Sequence, residues 1–164
     1  MDTIEIIRRM FAASHRQIEA AMKDMTAGQF NWVPTGTANP ISATYVHSLN
    51  SEDFFVQALL QGKPRLWEEN GCAEKTGIIK TPGYSGGWEE FKHMQVDLAL
   101  FLDYQQAVWA ATEAYLDKLD PAELERKVKF AGGERCVADM LILSAGHTLG
   151  HAGEISALKG VQGG

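Results

Sequence analysis

Cysteine is scarce. Only Cys72 and Cys136 occur among 164 residues, far apart and outside any C-x-x-C or C-x-x-C-H arrangement, which excludes a zinc ribbon and covalent haem attachment. They read as free thiols of a reducing compartment. Long apolar runs are missing too: no stretch approaches 18 consecutive apolar residues, so no membrane span is expected. The first residues, Met1-Asp2-Thr3-Ile4-Glu5, carry no basic region ahead of an apolar one. No export signal is therefore expected, and a cytoplasmic location is. Positive charge is in deficit, with 15 Lys and Arg against 21 Asp and Glu for a formal net charge of -6. That balance repels phosphate backbones and anionic lipid, so neither nucleic acid nor membrane is an expected partner.

What is present suffices for one domain over residues 1–164. A chain this long buries about 70% of the surface it exposes when unfolded, so it needs no structural metal merely to fold. Asp2 with Glu5 forms a capping-box pattern, and Ile4, Ile7, Phe11, Ile18, Met22 and Met25 follow at helical spacing. A first helix is predicted to about Met25. Asn39-Pro40 supplies an N-cap and a first-turn proline for a second helix to Leu60, closed by Gly62. From Gly62 to Gly87 the chain reads as a long loop in which Arg65 to Glu69 can form one helical turn; loops of that length are commonly lids, binding loops or interface segments.

Ser85 is predicted to cap a third helix, where Phe91, Leu98, Gln105, Thr112 and Leu119 interleave with Met94, Phe101, Val108 and Tyr115 in a seven-residue rhythm that suits facing helices. Asp120-Pro121-Ala122-Glu123 caps a short turn, and Gly132-Gly133 breaks the chain. A fourth helix is predicted from about Val137 to Lys159. No convincing strand pair is read, Lys127 to Phe130 being ambiguous. The expected fold class is all-α, a four-helix bundle with a long loop between helices two and three.

The five histidines are not equivalent. His147 and His151 are four apart, so on a helix they differ by about 40° in direction and stand one turn apart, a spacing at which two imidazoles can grip one ion. Met140, Leu143, Ser144, Ile155 and Leu158 fall on the same side, which points both rings inward. Inward imidazoles are costly unless each nitrogen has a partner; a divalent cation would satisfy the acceptor nitrogens. Glu154 shares that face and is read as a carboxylate ligand, an acceptor for a ligand imidazole's N–H, or a general base. Gly146, Gly150 and Gly153 each cost about 1 kcal/mol of helix propensity relative to Ala, which suggests close approach by a neighbouring helix or a ligand.

His47 shares a helical face with Ala43, Ser51, Phe54 and Ala58 and looks inward as well. Three neutral nitrogens from two helices would leave coordination positions open for water or substrate, as catalytic sites require. The competing reading is three hydrogen-bonded core histidines. His93 falls opposite the apolar stripe of its helix and reads as solvated, so Glu90-x-x-His93 is not taken as a di-iron half-site. His15, at the edge of the first helix's stripe, reads as packed.

These features together resemble the DinB/YfiT-like superfamily of four-helix metalloproteins. The features that carry the likeness are Trp32-Val33-Pro34, the segment Ile41-Ser42-Ala43-Thr44-Tyr45-Val46-His47 with Glu52 five later, and Leu143-x-x-x-His147-x-x-x-His151-x-Gly153-Glu154-Ile155. The resemblance implies that His47, His147 and His151 hold a divalent metal, commonly nickel or zinc, in an open site, and that the protein is a homodimer. It also implies S-transfer from a low-molecular-weight thiol, since characterised relatives use bacillithiol, mycothiol or glutathione. Glu154 stands where many members carry Gln, and a carboxylate there alters the charge beside the ion.

The expected function is therefore a metal-dependent enzyme in which the ion binds a small thiol as thiolate and holds its sulfur for attack on an electrophile. Trp67, Tyr84 and Trp88 are candidate walls. The alternatives are a metal-dependent hydrolase with Glu154 as base, and a metal-stabilised binding or dimerisation module without turnover.

Overall fold

The structure, a computed structural model, describes residues 2–84 and 86–163. It is mostly helical with a small two-stranded sheet. Helix α1 spans Thr3–Met22, opened by Asp2, whose side chain accepts from the Glu5 backbone N–H. Its buried stripe is Ile7, Phe11, Ser14, His15, Ile18 and Ala21. Short α2 (Ala27–Asn31) opens with a Thr26/Gln29 capping box. Helix α3 (Ile41–Asp53) passes without a break into a π-helical segment, Phe54–Leu60. Gly62, at φ +65°, ends it, because only a residue without Cβ enters that left-handed conformation cheaply.

The stretch expected as a loop carries two short helices, α4 (Leu66–Glu69) and α5 (Cys72–Thr76). Their reason is buried Asp53, whose two carboxylate oxygens accept from the backbone N–H groups of Leu66 and Trp67, each at 3.0 Å. Tyr104 donates its hydroxyl to the same carboxylate at 2.8 Å. After α6 (Trp88–Phe91), the third long helix α7 runs over Ala99–Leu116 and so starts later than the seven-residue rhythm predicts. The Val96 backbone exchanges two hydrogen bonds with the Asn31 side chain, at 2.8 and 2.9 Å, and is thereby withheld from a helix. The expected cap at Ser85 lies outside the described residues. The buried face of α7 is Phe101, Tyr104, Val108, Thr112 and Leu116.

Asp120 caps a 3-10 turn, Pro121–Glu125. The ambiguous stretch is then a strand, β1 (Lys127–Phe130), paired antiparallel with β2 (Gly133–Cys136). Ala131 and Gly132 both have positive φ, 50° and 77°, the two-residue turn whose twist matches a hairpin. Four-residue strands are too short to show a convincing alternation, which is why the pair is invisible to periodicity. The last helix, α8 (Val137–Val161), begins at a capping box in which the Cys136 thiol accepts from the Asp139 N–H. Cys72 and Cys136 are both free.

The long segments α1, α3 with its π extension, α7 and α8 pack together, α8 against α1 and α3 and α7 against the same two. Phe30, Ile41, Tyr45, Trp67, Phe101 and Val108 form one apolar cluster, and Phe11, Phe55, Leu116, Met140 and Leu141 belong to a second. Gly146, Gly150 and Gly153 lie on the exposed face of α8. No atom stands within 4 Å of where their Cβ atoms would be, short-range helix backbone aside, so the expected close approach does not occur within this chain. Among the described residues no helix is long and apolar enough to cross a membrane.

Removing the carboxylate that holds α4 orphans three donors at once, two of them buried. Asp53→Ala should lower unfolding stability by about 2–4 kcal/mol, read from urea midpoints. It should also expose residues 63–82 to hydrogen exchange ahead of α1 and α8. A cost below about 0.5 kcal/mol would refute that anchoring role.

Candidate metal centre

Three imidazoles meet between α3 and α8. Helical pitch stacks His147 and His151 on one face of α8, and His47 faces them from the middle of α3. The Nε2 atom of His147 lies 3.1 Å from Nε2 of His47 and 3.1 Å from Nε2 of His151. One ligand-capable atom from each ring falls within 4.8 Å of the others.

The outer nitrogens decide which protons these rings carry. His47 Nδ1 is 2.9 Å from the Pro82 carbonyl oxygen, an acceptor only, so this nitrogen donates and the Nε2 of the neutral ring is a bare lone pair. His151 Nδ1 is 2.7 Å from a Glu154 carboxylate oxygen and by the same argument donates, leaving its Nε2 bare. A single proton on His147 Nε2 can bridge to one neighbour. The Nε2 lone pair of the other neighbour, 3.1 Å from the same nitrogen, then has no proton directed at it from His147. A cation among the three nitrogens resolves the shortfall. Two nitrogens bonded to one ion at about 2.0–2.1 Å stand roughly 2.8–3.4 Å apart for octahedral to tetrahedral angles, which brackets the observed spacing. The three residues therefore fit a divalent transition metal, and imidazole suits zinc, nickel, copper and iron alike.

Burial reinforces the neutral state. It pushes His147 down to about 3, helped by repulsion from His151 and His47. His47 is lowered chiefly by burial, against the opposing pull of the Pro82 carbonyl. The Pro82 and Glu154 contacts are the usual companions of metal-ligating histidines, which hand their other N–H to a carbonyl or carboxylate that sets tautomer and ring orientation.

Beside the rings opens a cleft of about 740 Å³, lined on α3 and its extension by His47, Asn50, Ser51, Phe54 and Phe55 and on α8 by Leu143 and His147. Its size is that of small-molecule sites. The lining also includes Arg65, Thr81, Pro82, Tyr84 and Trp88, and Phe130 of β1. Trp88 packs on His47 with ring centres 4.7 Å apart and donates its indole N–H to the Gly83 carbonyl. Of the aromatics expected as walls, Tyr84 and Trp88 line the cleft. Trp67 does not; it is core, packed on Tyr104 and Phe101. Glu154 is exposed and touches the centre at His151.

The remaining histidines are elsewhere. His93 is exposed. His15 is buried, its Nε2 3.0 Å from both carboxylate oxygens of Glu52, and it stacks on Trp109 at 4.2 Å. Thr112 donates to the same carboxylate at 2.8 Å. Sequence reasoning missed Asn50, Asp53, Arg65 and Pro82. Adjacent acids at 52 and 53 inside an apolar helix were a signal for the second of these; a backbone carbonyl such as that of Pro82 leaves none.

A family model described as the DinB superfamily matches residues 10–155. Among curated proteins none matches. The crystal structure of a conserved protein from Enterococcus faecalis is similar to 97% of this chain over 96% of its own length, with a TM-score of 0.81 and 19% sequence identity. At that identity the likeness is one of fold.

Two outcomes are expected. His147→Ala should abolish stoichiometric uptake of zinc or nickel, measured by elemental analysis after dialysis, while circular dichroism stays helical, because the apolar stripes do not depend on the ion; loss of all helical signal would count against a separable site. In the metal-free protein, His147 binds its proton far below the 6.5 of an unfolded chain. Between pH 6.5 and about 3 the unfolded state therefore holds more protons, and acidification destabilises the fold. Urea midpoints of metal-free protein should fall across that window, less steeply in His147→Ala; equal slopes would refute the shift.

Proposed function

Since this chain belongs to the DinB superfamily, we propose that it is a metal-dependent enzyme that transfers a low-molecular-weight thiol to an electrophile. The observation that carries the reading is the trio of imidazoles, with His147 Nε2 3.1 Å from the Nε2 atoms of both His47 and His151, beside a cleft large enough for a small molecule. The four long helical segments are read as a four-helix bundle that holds two rings on one helix against one on its neighbour.

His47, His147 and His151 would hold the ion, with zinc or nickel the metals the reading favours. A divalent cation bound there lowers the pKa of a coordinated thiol and keeps its sulfur as thiolate at neutral pH. The Pro82 carbonyl and the Glu154 carboxylate keep protons on His47 Nδ1 and His151 Nδ1, so the inner nitrogens remain free to bind. Phe54, Phe55, Trp88 and Phe130 would pack the electrophile and thin the water around it. In the transfer the thiolate sulfur forms a bond to the electrophilic carbon, the bond from that carbon to its leaving group breaks, and the thiol's proton passes to solvent.

We assign Glu154 an orienting role on His151, supported by the 2.7 Å contact and by its position outside the cleft lining. The amide oxygen of Gln can accept the same proton, so Glu154→Gln should keep most metal affinity and turnover, whereas Glu154→Ala should weaken metal binding about 10- to 100-fold. A general base would behave oppositely: Glu154→Gln would keep the metal and lose the reaction.

The central test incubates zinc- or nickel-loaded protein with an activated aryl halide, with and without a small thiol. Halide release should require both thiol and metal and should be absent in His147→Ala. Turnover indifferent to thiol would overturn transfer in favour of hydrolysis, and no turnover with metal tightly bound would leave a binding module.

A further inference from the structure

The cleft beside the imidazoles is lined mostly by carbon, and among its lining residues one side chain carries a full charge at neutral pH: Arg65. Among the described residues no carboxylate lines it. In a chain of net charge -6, a cation set into an otherwise apolar cavity calls for a reason. Arg65 is also held in place. Its Nη1 donates to Oδ1 of Asn50 at 2.8 Å, and Asn50 is 6% exposed. The same Asn50 oxygen accepts from the Thr81 hydroxyl at 3.1 Å, and the Asn50 amide donates to the Tyr104 hydroxyl at 3.3 Å. Tyr104 in turn donates to buried Asp53. On its other edge the guanidinium donates to both carboxylate oxygens of Glu68, through Nε and Nη2.

Those contacts use three of the five guanidinium N–H groups. Two remain, one on each terminal nitrogen, with no protein acceptor among the described residues. They lie in the rigid guanidinium plane and offer a carboxylate charge-assisted hydrogen bonds from fixed directions, which the rotatable ammonium of a lysine does not. Glu68 offsets part of the positive charge, which favours a monoanion over a doubly charged phosphate. Asn50 is three residues after His47, so the two side chains leave α3 about 4.5 Å apart along its axis, both bordering the cleft.

We propose that Arg65 is the anion-recognition group of this cleft and takes the carboxylate of a small ligand whose apolar body lies against Phe54, Phe55 and Trp88. The far end of that ligand reaches the imidazole centre, a point that rests on the function proposed above. Asn50 and Glu68 are positioning residues that fix the guanidinium plane. The chemical class is an amphipathic monocarboxylate, as thiol donor or as electrophile.

The test uses 3-phenylpropanoate and its neutral analogue 3-phenylpropan-1-ol, titrated calorimetrically into metal-free and zinc-loaded protein. The metal-free arm removes the ion as a rival anion site. Wild type should prefer the acid by about tenfold or more in both arms, the size expected for charge-assisted hydrogen bonds. In the metal-free arm Arg65→Gln should erase the preference while leaving the weak affinity for the alcohol unchanged, and the variant should still take up zinc as wild type does. Arg65→Lys, which keeps the charge without the fork, should keep only part of it, and it decides the matter if Arg65→Gln misfolds. Equal affinity for acid and alcohol in wild type, a preference that survives either substitution intact, or no binding of either compound would overturn the proposal. An Arg65-dependent preference in a protein that takes up no zinc would leave the anion site standing and overturn the metal reading alone.

Discussion

A helix buried on almost every side needs partners for its ionisable and amide side chains, and α3 is such a helix, although its Ser42 and Ser48 hydroxyls have none among the described residues. Of its thirteen residues only His47 and Ser51 escape full burial, yet it holds Asn50, Glu52 and Asp53 as well. Each recruits a different part of the chain. Glu52 engages His15 of α1 and Thr112 of α7. Asp53 caps α4 and receives Tyr104 of α7. Asn50 receives Arg65 and Thr81. His47 draws in the Pro82 carbonyl and meets His147 of α8. An orphaned polar group in that position would cost on the order of 1–3 kcal/mol, so satisfying α3 and assembling the fold are one requirement.

The cleft follows from the same requirement. The segment from Lys63 to Pro82 has no long helix of its own and is secured by side chains of α3, which holds it at one side of the cavity. Where α3 widens into the π-helical segment, Phe54 and Phe55 face the cavity beside His47; π segments of this kind recur at functional sites. A largely apolar chamber results, lined by the imidazoles of His47 and His147 and by a pinned guanidinium.

Legibility in the sequence tracked the range of the interactions. Asp2 with Glu5, the apolar stripe of α1, the close at Gly62 and the extent of α8 all rest on contacts within one or two turns, and all were readable. The pairing of His147 with His151 was readable for the same reason, and the face shared by His47 and Ser51 pointed to a facing helix. The start of α7 was misread because a strong apolar rhythm runs through Phe91 and Leu98, while the hydrogen bonds that break it come from Asn31. The hairpin was missed because a four-residue strand carries too little pattern.

The residues alone determined that the chain is largely helical and that it places two imidazoles one turn apart on a single face, because helical pitch depends on nothing beyond neighbouring residues. Only the tertiary structure decided which nitrogen of each ring is bare, since that depends on a carbonyl 35 residues from His47 for one ring and on how the Glu154 side chain turns for another. It alone set Arg65 against Asn50 and emptied the space before them. Such choices belong to groups that meet only after folding, and local pattern carries no record of them.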